Sequence, residues 1–423
     1  MTKRTWWLPL VAIVVFATAC GTAAPTATPT GAPTNLPTAT PGPTNAPTPG
    51  PTAPPAAAVP TVPTGYAELD TALTPGADGK MPYAGTRATI QTQWIGGEGA
   101  NFAAAIADFE AATGIDIVVD SIGTSHETVL RTRIEGNDPT LNMAMLAQPA
   151  AILAYGAEGK LVDVASFMTG TKLATEHPAT VGLYTDAAGH VYGVPYKVDV
   201  KSTIWYPIKA FAAAGYEVPT TWTELMALAD KIIADGNGSP FCVGIESGTA
   251  TGWEATDLLE DIMLRTTSVE NYNKWITHEL PFNSPEVLNA MNLMAQYYFT
   301  PNYVLGGTDA ILSIHLTDPM DPMFPGTPPG TSNNWDGFTP GCWMHKIPTW
   351  YGPDFFPDVK ANPGTPTIYP IGEDIGIFYF PSIDAAYGTP ALGAGDALIV
   401  IAPPGGAAVA PQVMAAPIPS VPL

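Results

Sequence analysis

Positive charge is scarce in this chain. Its 423 residues hold 16 lysines and arginines against 38 aspartates and glutamates, a formal net charge of −22. Phosphate binding needs clustered cations, so nucleic acid is excluded as a partner and a phosphorylated substrate is disfavoured. Cysteine is scarcer still, at three residues. Of the six histidines, His126, His177 and His190 are scattered, with no HExxH and no His–Cys spacing suited to zinc. There is no GxSxG nucleophile pattern and no GxxxxGK[ST] phosphate loop. The lone GxG of "GAGD" (393–396) carries little weight, because no helix with a following acidic residue supports it. We therefore expect no metal, no cofactor and no catalytic residue.

What is present begins with an address. "MTKRTWWLPLVAIVVFATAC" has Lys3 and Arg4, then an apolar run from Trp6 to about Ala17, then small residues before Cys20. That order describes an export signal, and the run is shorter than the ~20 residues a spanning helix needs. The cysteine after small residues resembles a bacterial lipobox, with Cys20 lipidated as the mature N-terminus. Residues 21–64 are rich in Pro, Thr and Ala and carry no charge and no aromatic. Such a segment buries no core and reads as a disordered tether. At about 3 Å per residue it reaches on the order of 100 Å from a membrane surface. Losing Lys3 and Arg4 with the signal leaves 38 acids against 14 bases, a net charge of about −24.

The segment 65–400 exceeds the size at which a single core usually divides. "RATIQTQW" (87–94), "GIDIVVDS" (114–121) and "LNMAMLA" (141–147) read as strands. Between and after them, Gly99–Thr113, His126–Gly136 and Pro149–Gly156 read as helices. This alternation predicts a parallel, doubly wound sheet. "VYGVPYKVDVKSTIWYP" (191–207) reads as an extended crossing between domains. Beyond it, Thr221 and Glu224 stand at capping-box spacing, and further helices fit Gly252–Leu264 and Ser284–Phe299. Residues 300–365 look irregular, while "IGIFYFP" (375–381) and "DALIVIAP" (396–403) read as strands. Trp222, Trp205 and Tyr206 are expected in the second unit's core and sheet.

The blocks "QTQWIGGEGANF", "GVPYKVDVKSTIWY", "VPTTWTEL", "CVGIESGTATGWEATDLLEDIMLR", "GCWMHK" and "GAGDALIV" together resemble a bacterial extracellular solute-binding protein of an ABC sugar importer. The resemblance is strongest to the α-glucoside-binding branch. It implies an α/β, two-lobed periplasmic-binding-protein-like fold of the class II type, each lobe a sheet flanked by helices with a ligand cleft between them. The expected bounds are about 85–195 for lobe 1 and 200–365 for lobe 2, with crossing segments near 191–201 and 370–400. The implied function is capture of an α-glucoside or related oligosaccharide outside the cytoplasm, without catalysis. The implied partners are that sugar, an ABC permease with its ATPase subunits, and the membrane through the lipid. The chain itself is read as a monomer.

Sugars offer C–H faces to aromatic platforms and hydroxyl rims to charged groups. Trp94 and Glu98 follow the first strand, where ligands of open α/β sheets lie, so Trp94 is assigned to stacking and Glu98 to hydrogen bonding. Lys197 and Asp199 share one face of the crossing strand, as a hinge ion pair or as sugar contacts. Trp253, after the Gly-rich "SGTATG", is read as a platform, and Asp257 on the same helix face as packing. A lipid-anchored glycosidase is the competing class, since acid pairs such as Glu260–Asp261 are plentiful and two carboxyls about 5 to 9.5 Å apart would suffice. An adhesin or structural surface protein is a third.

With Cys20 spent on lipid, Cys242 and Cys342 form an even pair in an oxidising space, which predicts a disulfide. "GCWMHKIP" (341–348) then reads as an anchor rather than a metal cluster, with Trp343 turned toward the cleft as a platform and His345 in a surface or structural role. The tail 401–423 is uncharged and Pro-rich, unlike the helices expected there, as a truncated or frame-shifted gene end would be.

Overall fold

The computed structural model describes residues 62–168, 170–324, 339–352 and 371–403. The expected signal with Cys20, nearly all of the tether and the tail beyond 403 lie outside the described residues.

The first lobe alternates helix and strand: α1 (Ala67–Ala72), β1 (Arg87–Thr92), α2 (Gly96–Thr113), β2 (Asp116–Ser121), α3 (His126–Glu135), β3 (Met143–Leu146), α4 (Pro149–Ala157) and α5 (Gly170–Glu176). Its helices form because their apolar residues recur at helical steps and face one sheet. On α2 these are Phe102, Ile106 and Phe109, and on α3 Leu130 and Ile134, all buried. Helix α2 begins three residues before its predicted start, so Glu98 lies in its first turn.

The chain then passes through β4 (Val194–Pro195) and β5 (Asp199–Val200) into β6 (Thr203–Pro207). The second lobe follows with α6 (Ile208–Ala214), α7 (Trp222–Ala234), β7 (Ser239–Phe241), α8 (Trp253–Thr266), α9 (Val269–Ile276), α10 (Pro285–Phe299), α11 (Met320–Met323), β8 (Cys342–Lys346) and β9 (Ile375–Tyr379). The capping box of α7 is formed, with the Thr221 hydroxyl accepting from the Glu224 N–H and the Glu224 carboxylate accepting from the Thr221 N–H. The chain returns through β10 (Gly393–Ala394) to β11 (Ala397–Val400).

One sheet has the strand order β2-β1-β3-β11-β4 and the other β7-β8-β6-β9. The first is not wholly parallel, in contrast to the prediction. Strand β11 comes back from the second lobe and pairs antiparallel with β3 and β4. The second correction concerns 300–365. β8 within it is an interior strand, parallel to β7 and antiparallel to β6, and all five of its residues are buried. A strand covered on both faces reads as a continuous run with no alternation to betray it. Each sheet has its own core, built around Ile90, Phe102, Met143 and Leu398 in the first lobe and around Ile204, Leu225, Leu258 and Trp343 in the second. Cys242 and Cys342 are joined by a disulfide that closes a loop of 100 residues with the Cα atoms 5.2 Å apart. On the loop-entropy account such a closure contributes up to ~4.7 kcal/mol.

Candidate ligand site between the lobes

The two strands of the crossing, β5 and β10, pair antiparallel through Asp199 with Ala394 and Val200 with Gly393. Around them the Tyr196 N–H donates to the Asp396 carbonyl at 2.8 Å and the Asp396 N–H to the Lys197 carbonyl at 3.1 Å. A Cβ on Gly395 would stand 1.7 Å from the Lys197 carbonyl oxygen, so the approach of the two segments requires glycine there.

This crossing gathers charge. Lys197 Nζ lies 2.6 Å from Glu98 Oε1, 3.5 Å from Asp199 Oδ2 and 3.7 Å from Asp396 Oδ2. Gln93 Nε2 donates to Asp396 Oδ1 at 2.6 Å. Three carboxylates thus share one ammonium in a half-buried place. Burial pushes Glu98 up to about 7, against the pull of Lys197 and with help from Asp396 and Asp199. Burial likewise pushes Asp199 up to about 6, opposed by Lys197. Burial works to lower the Lys197 ammonium, but Glu98, Asp396 and Asp199 outweigh it and hold it above the usual lysine range.

Aromatic faces adjoin the cluster. The Lys197 ammonium is 5.9 Å from the ring centre of Trp350, and Trp350 is 6.2 Å from Trp253 with the rings tilted by 47°. Both indoles are half-buried. Trp350 is carried by a short turn, Thr349–Tyr351, whose Thr349 hydroxyl accepts from the Val200 N–H at 3.1 Å and so fixes it to the crossing. Trp253 opens α8, with Lys201 Nζ 4.8 Å over its ring. Lys201 also meets Asp257 Oδ1 at 2.7 Å.

Of the residues expected at a site, Glu98, Lys197 and Asp199 are in direct contact, and Trp253 joins them through Trp350. Two are elsewhere. Trp94 is only 3% exposed and packs against Phe102 and Tyr196 at 5.1 and 5.3 Å. It floors the cluster from the first lobe's core, with Lys197 Nζ 5.8 Å above its ring, and presents no free face for stacking. Trp343 is 2% exposed. It packs against Tyr216 and Phe211 at 4.8 and 5.8 Å, and its indole N–H donates to the Asn237 carbonyl at 2.7 Å. It is core of the second lobe rather than a platform, because β8 runs inside the sheet and both of its faces are covered. His345 is structural. It is fully buried, its Nδ1 is 2.8 Å from the Cys242 carbonyl, and burial pushes its pKa down to about 4. Since a carbonyl only accepts, the neutral ring carries its proton on Nδ1.

Trp350, Asp396, Gln93 and Lys201 were not foreseen. The available signal for Asp396 was "GAGD" on the return crossing, and for Trp350 one of three tryptophans (335, 343 and 350) in a Pro- and Gly-rich stretch, eight residues after Cys342.

The sequence profile of the bacterial extracellular solute-binding proteins matches residues 94–307, which include Glu98, Lys197, Asp199 and Trp253. The chain belongs to this family. It is similar to the osmoprotective compounds-binding protein of Synechocystis sp., 35% identical over 309 residues that make up 73% of this chain and 67% of that one. It is also similar to the alpha-glucosides-binding periplasmic protein of Rhizobium meliloti, 33% identical over 324 residues, 75% of this chain and 65% of the relative. The matches thus span about two thirds of each relative's own length. In fold it resembles a bacterial solute receptor that prefers β-D-galactopyranose, at TM-score 0.60 and 19% identity, over 78% of this chain and 75% of that one. It also resembles the maltose-bound protein MalE3 of T. maritima, at TM-score 0.56 and 15% identity, over 78% of this chain and 75% of that one. The two-lobed α/β architecture is that of these two-domain proteins. No helix among the described residues is long and apolar enough to cross a membrane.

Proposed function

We propose that the protein captures a neutral sugar, an α-glucoside or related oligosaccharide, and delivers it to an ABC permease driven by ATPase subunits. The observation that carries this reading is the pairing of two half-buried indoles, Trp253 and Trp350, with the Glu98–Lys197–Asp199–Asp396 cluster beside them. Indole faces suit sugar C–H faces, and the charged groups suit hydroxyls as donors and acceptors. Three carboxylates around one lysine repel a phosphate, which favours an uncharged ligand. The similarity to an alpha-glucosides-binding protein supports the narrower choice. The site is read as binding only, since Lys197 engages all three carboxylates. Lipid on Cys20 and the tether 21–64 would hold the binding domain, 65–400, at the outer face of the membrane.

A thermal-shift panel of maltose, trehalose, sucrose, glucose and glycerol 3-phosphate tests the ligand. A true ligand adds about 2.7 kcal/mol of stability at a hundredfold excess over its dissociation constant. Stabilisation by the phosphate alone overturns the glucoside reading. Hydrolysis of maltose or trehalose, abolished by changing one carboxylate, overturns the binding-only reading. A Cys20→Ser variant that still fractionates with membranes overturns the lipid anchor.

A further inference from the structure

The order β2-β1-β3-β11-β4 puts the crossing strand β4 at one edge of the first sheet and β2 at the other. Four strand spacings separate these edges, about 19 Å. In the second sheet β7 is likewise the edge strand on the side away from β6 and β9, which enter and leave the crossing. The turn after β2, Gly123–Ser125, nevertheless touches the turn after β7, Gly248–Ala250. The lobes therefore meet at the crossing and again at the far side. At the far contact Gly248 has φ +57°, and a Cβ there would lie 2.7 Å from the Thr124 carbonyl oxygen and 3.3 Å from the Thr124 Cβ. Backbone meets backbone, so neither turn can yield by a side-chain rotation.

We propose that Gly248 is the lip on which the lobes shut, and that its missing side chain lets the Thr124 turn seat and so sets how long a ligand is held. The proposal deepens the binding reading above, and rests on it for the ligand but not for the contact. A side chain at 248 removes the shut arrangement and leaves each lobe's core untouched, since Gly248 and Thr124 are both exposed. Closure that depends on contacts made only when shut then loses part of its drive.

The test compares Gly248→Ala with Gly215→Ala. Gly215 also has positive φ, +68°, and lies in the same lobe, but nothing stands within 4 Å of its Cβ position. It therefore reports backbone strain without a clash. Thr124→Trp adds bulk from the opposite turn at an exposed, non-glycine position and serves if Gly248→Ala does not fold. Small-angle scattering of the ligand-free proteins is expected to give a larger radius of gyration for Gly248→Ala and Thr124→Trp than for wild type and Gly215→Ala. Stopped-flow tryptophan fluorescence with maltose and trehalose is expected to show about tenfold faster release for the same two variants, equivalent to about 1.4 kcal/mol. Unchanged scattering in both lip variants, or equal effects in Gly215→Ala, overturns the lip. If neither sugar binds wild type, the ligand reading fails while scattering still decides the lip.

Discussion

Two ion networks lie within a short distance of each other, and they are built on opposite principles. At the crossing, Glu98, Asp199 and Asp396 share Lys197, whose side chain is 25% exposed. Inside the second lobe, Asp261 Oδ1 takes Arg265 at 2.7 Å and its Oδ2 takes Lys346 at 3.0 Å, with Asp261 and Arg265 wholly buried. Asp261 also accepts from the Ser202 hydroxyl, and that hydroxyl accepts in turn from the Leu392 N–H at 2.9 Å. Arg265 Nε donates to the Phe380 carbonyl at 3.2 Å. The inner network thus fastens both crossing segments to α8. Counting Asp257 with Lys201, it sets two acids against three bases, all in contact. The crossing cluster carries an excess of acid, and of its members Lys197 and Glu98 are partly exposed while Asp199 and Asp396 are buried. Dry charges in mutual contact hold a shape, because losing one strands another. A surplus of acid around one partly exposed lysine can be retuned by protons or by a ligand.

The largest expected effect comes from breaking the buried network. Asp261→Ala leaves Arg265 and Lys346 unpaired in the core, and urea unfolding is expected to show a loss of about 3–5 kcal/mol. A loss below about 1 kcal/mol would mean that the network is dispensable for the fold. Lys197→Met breaks the acid-rich cluster and is expected to cost less, about 1–2 kcal/mol, since Glu98 is partly exposed and both Glu98 and Asp199 are raised toward neutral pH and can take up protons. Equal losses in the two variants would erase the contrast.

Smaller effects concern the ligand and the proton. Trp350→Ala is expected to weaken sugar binding by about ten- to thirtyfold, or 1.4–2 kcal/mol, with little change in the melting temperature of the free protein. Trp343→Ala is expected to do the reverse, lowering stability by about 3–5 kcal/mol as a core truncation. Calorimetry and thermal melts on the two variants separate platform from core. The weakest effect is the pH dependence of the cluster. Glu98 is raised in the folded state from 4.5 to about 7, so the unfolded chain gives up this proton first as pH rises. Stability from this group is fully present below about pH 4.5 and is lost as pH rises to about 7. The stability of wild type relative to Glu98→Gln should therefore decline across that window and level off above it. A flat difference would place Glu98 in an ordinary, solvated setting. Asp199, raised to about 6, acts in the same direction at slightly lower pH.

Much of this was legible in the chain, and the failures share one cause. The helical steps of Phe102, Ile106 and Phe109, the Thr221–Glu224 cap and the extended crossing near 191–207 are local features, and local sequence reports them. Lys197, Asp199 and Glu98 were legible as candidates because they flank strand ends and the crossing. Trp94 and Trp343 were misread because stacking and core packing ask for the same residue, and only burial tells them apart. Burial depends on neighbours far away in the chain. Trp343 is covered by residues more than 100 positions earlier, including Asn237, Phe211 and Tyr216.

By itself, then, the sequence determined an acidic two-lobed α/β chain, the segments that cross between its lobes and the family to which these blocks belong, since short-range pattern and composition suffice for each. The tertiary structure alone decided that β11 completes the first sheet in reverse, that Asp396 joins Lys197 across the crossing, that Trp350 rather than Trp343 stands beside Trp253, and that Gly248 meets Thr124. Each of these brings together groups that chain distance keeps apart, and which of them meet is settled by how whole sheets stack and which strands lie inside, not by any residue's own preference.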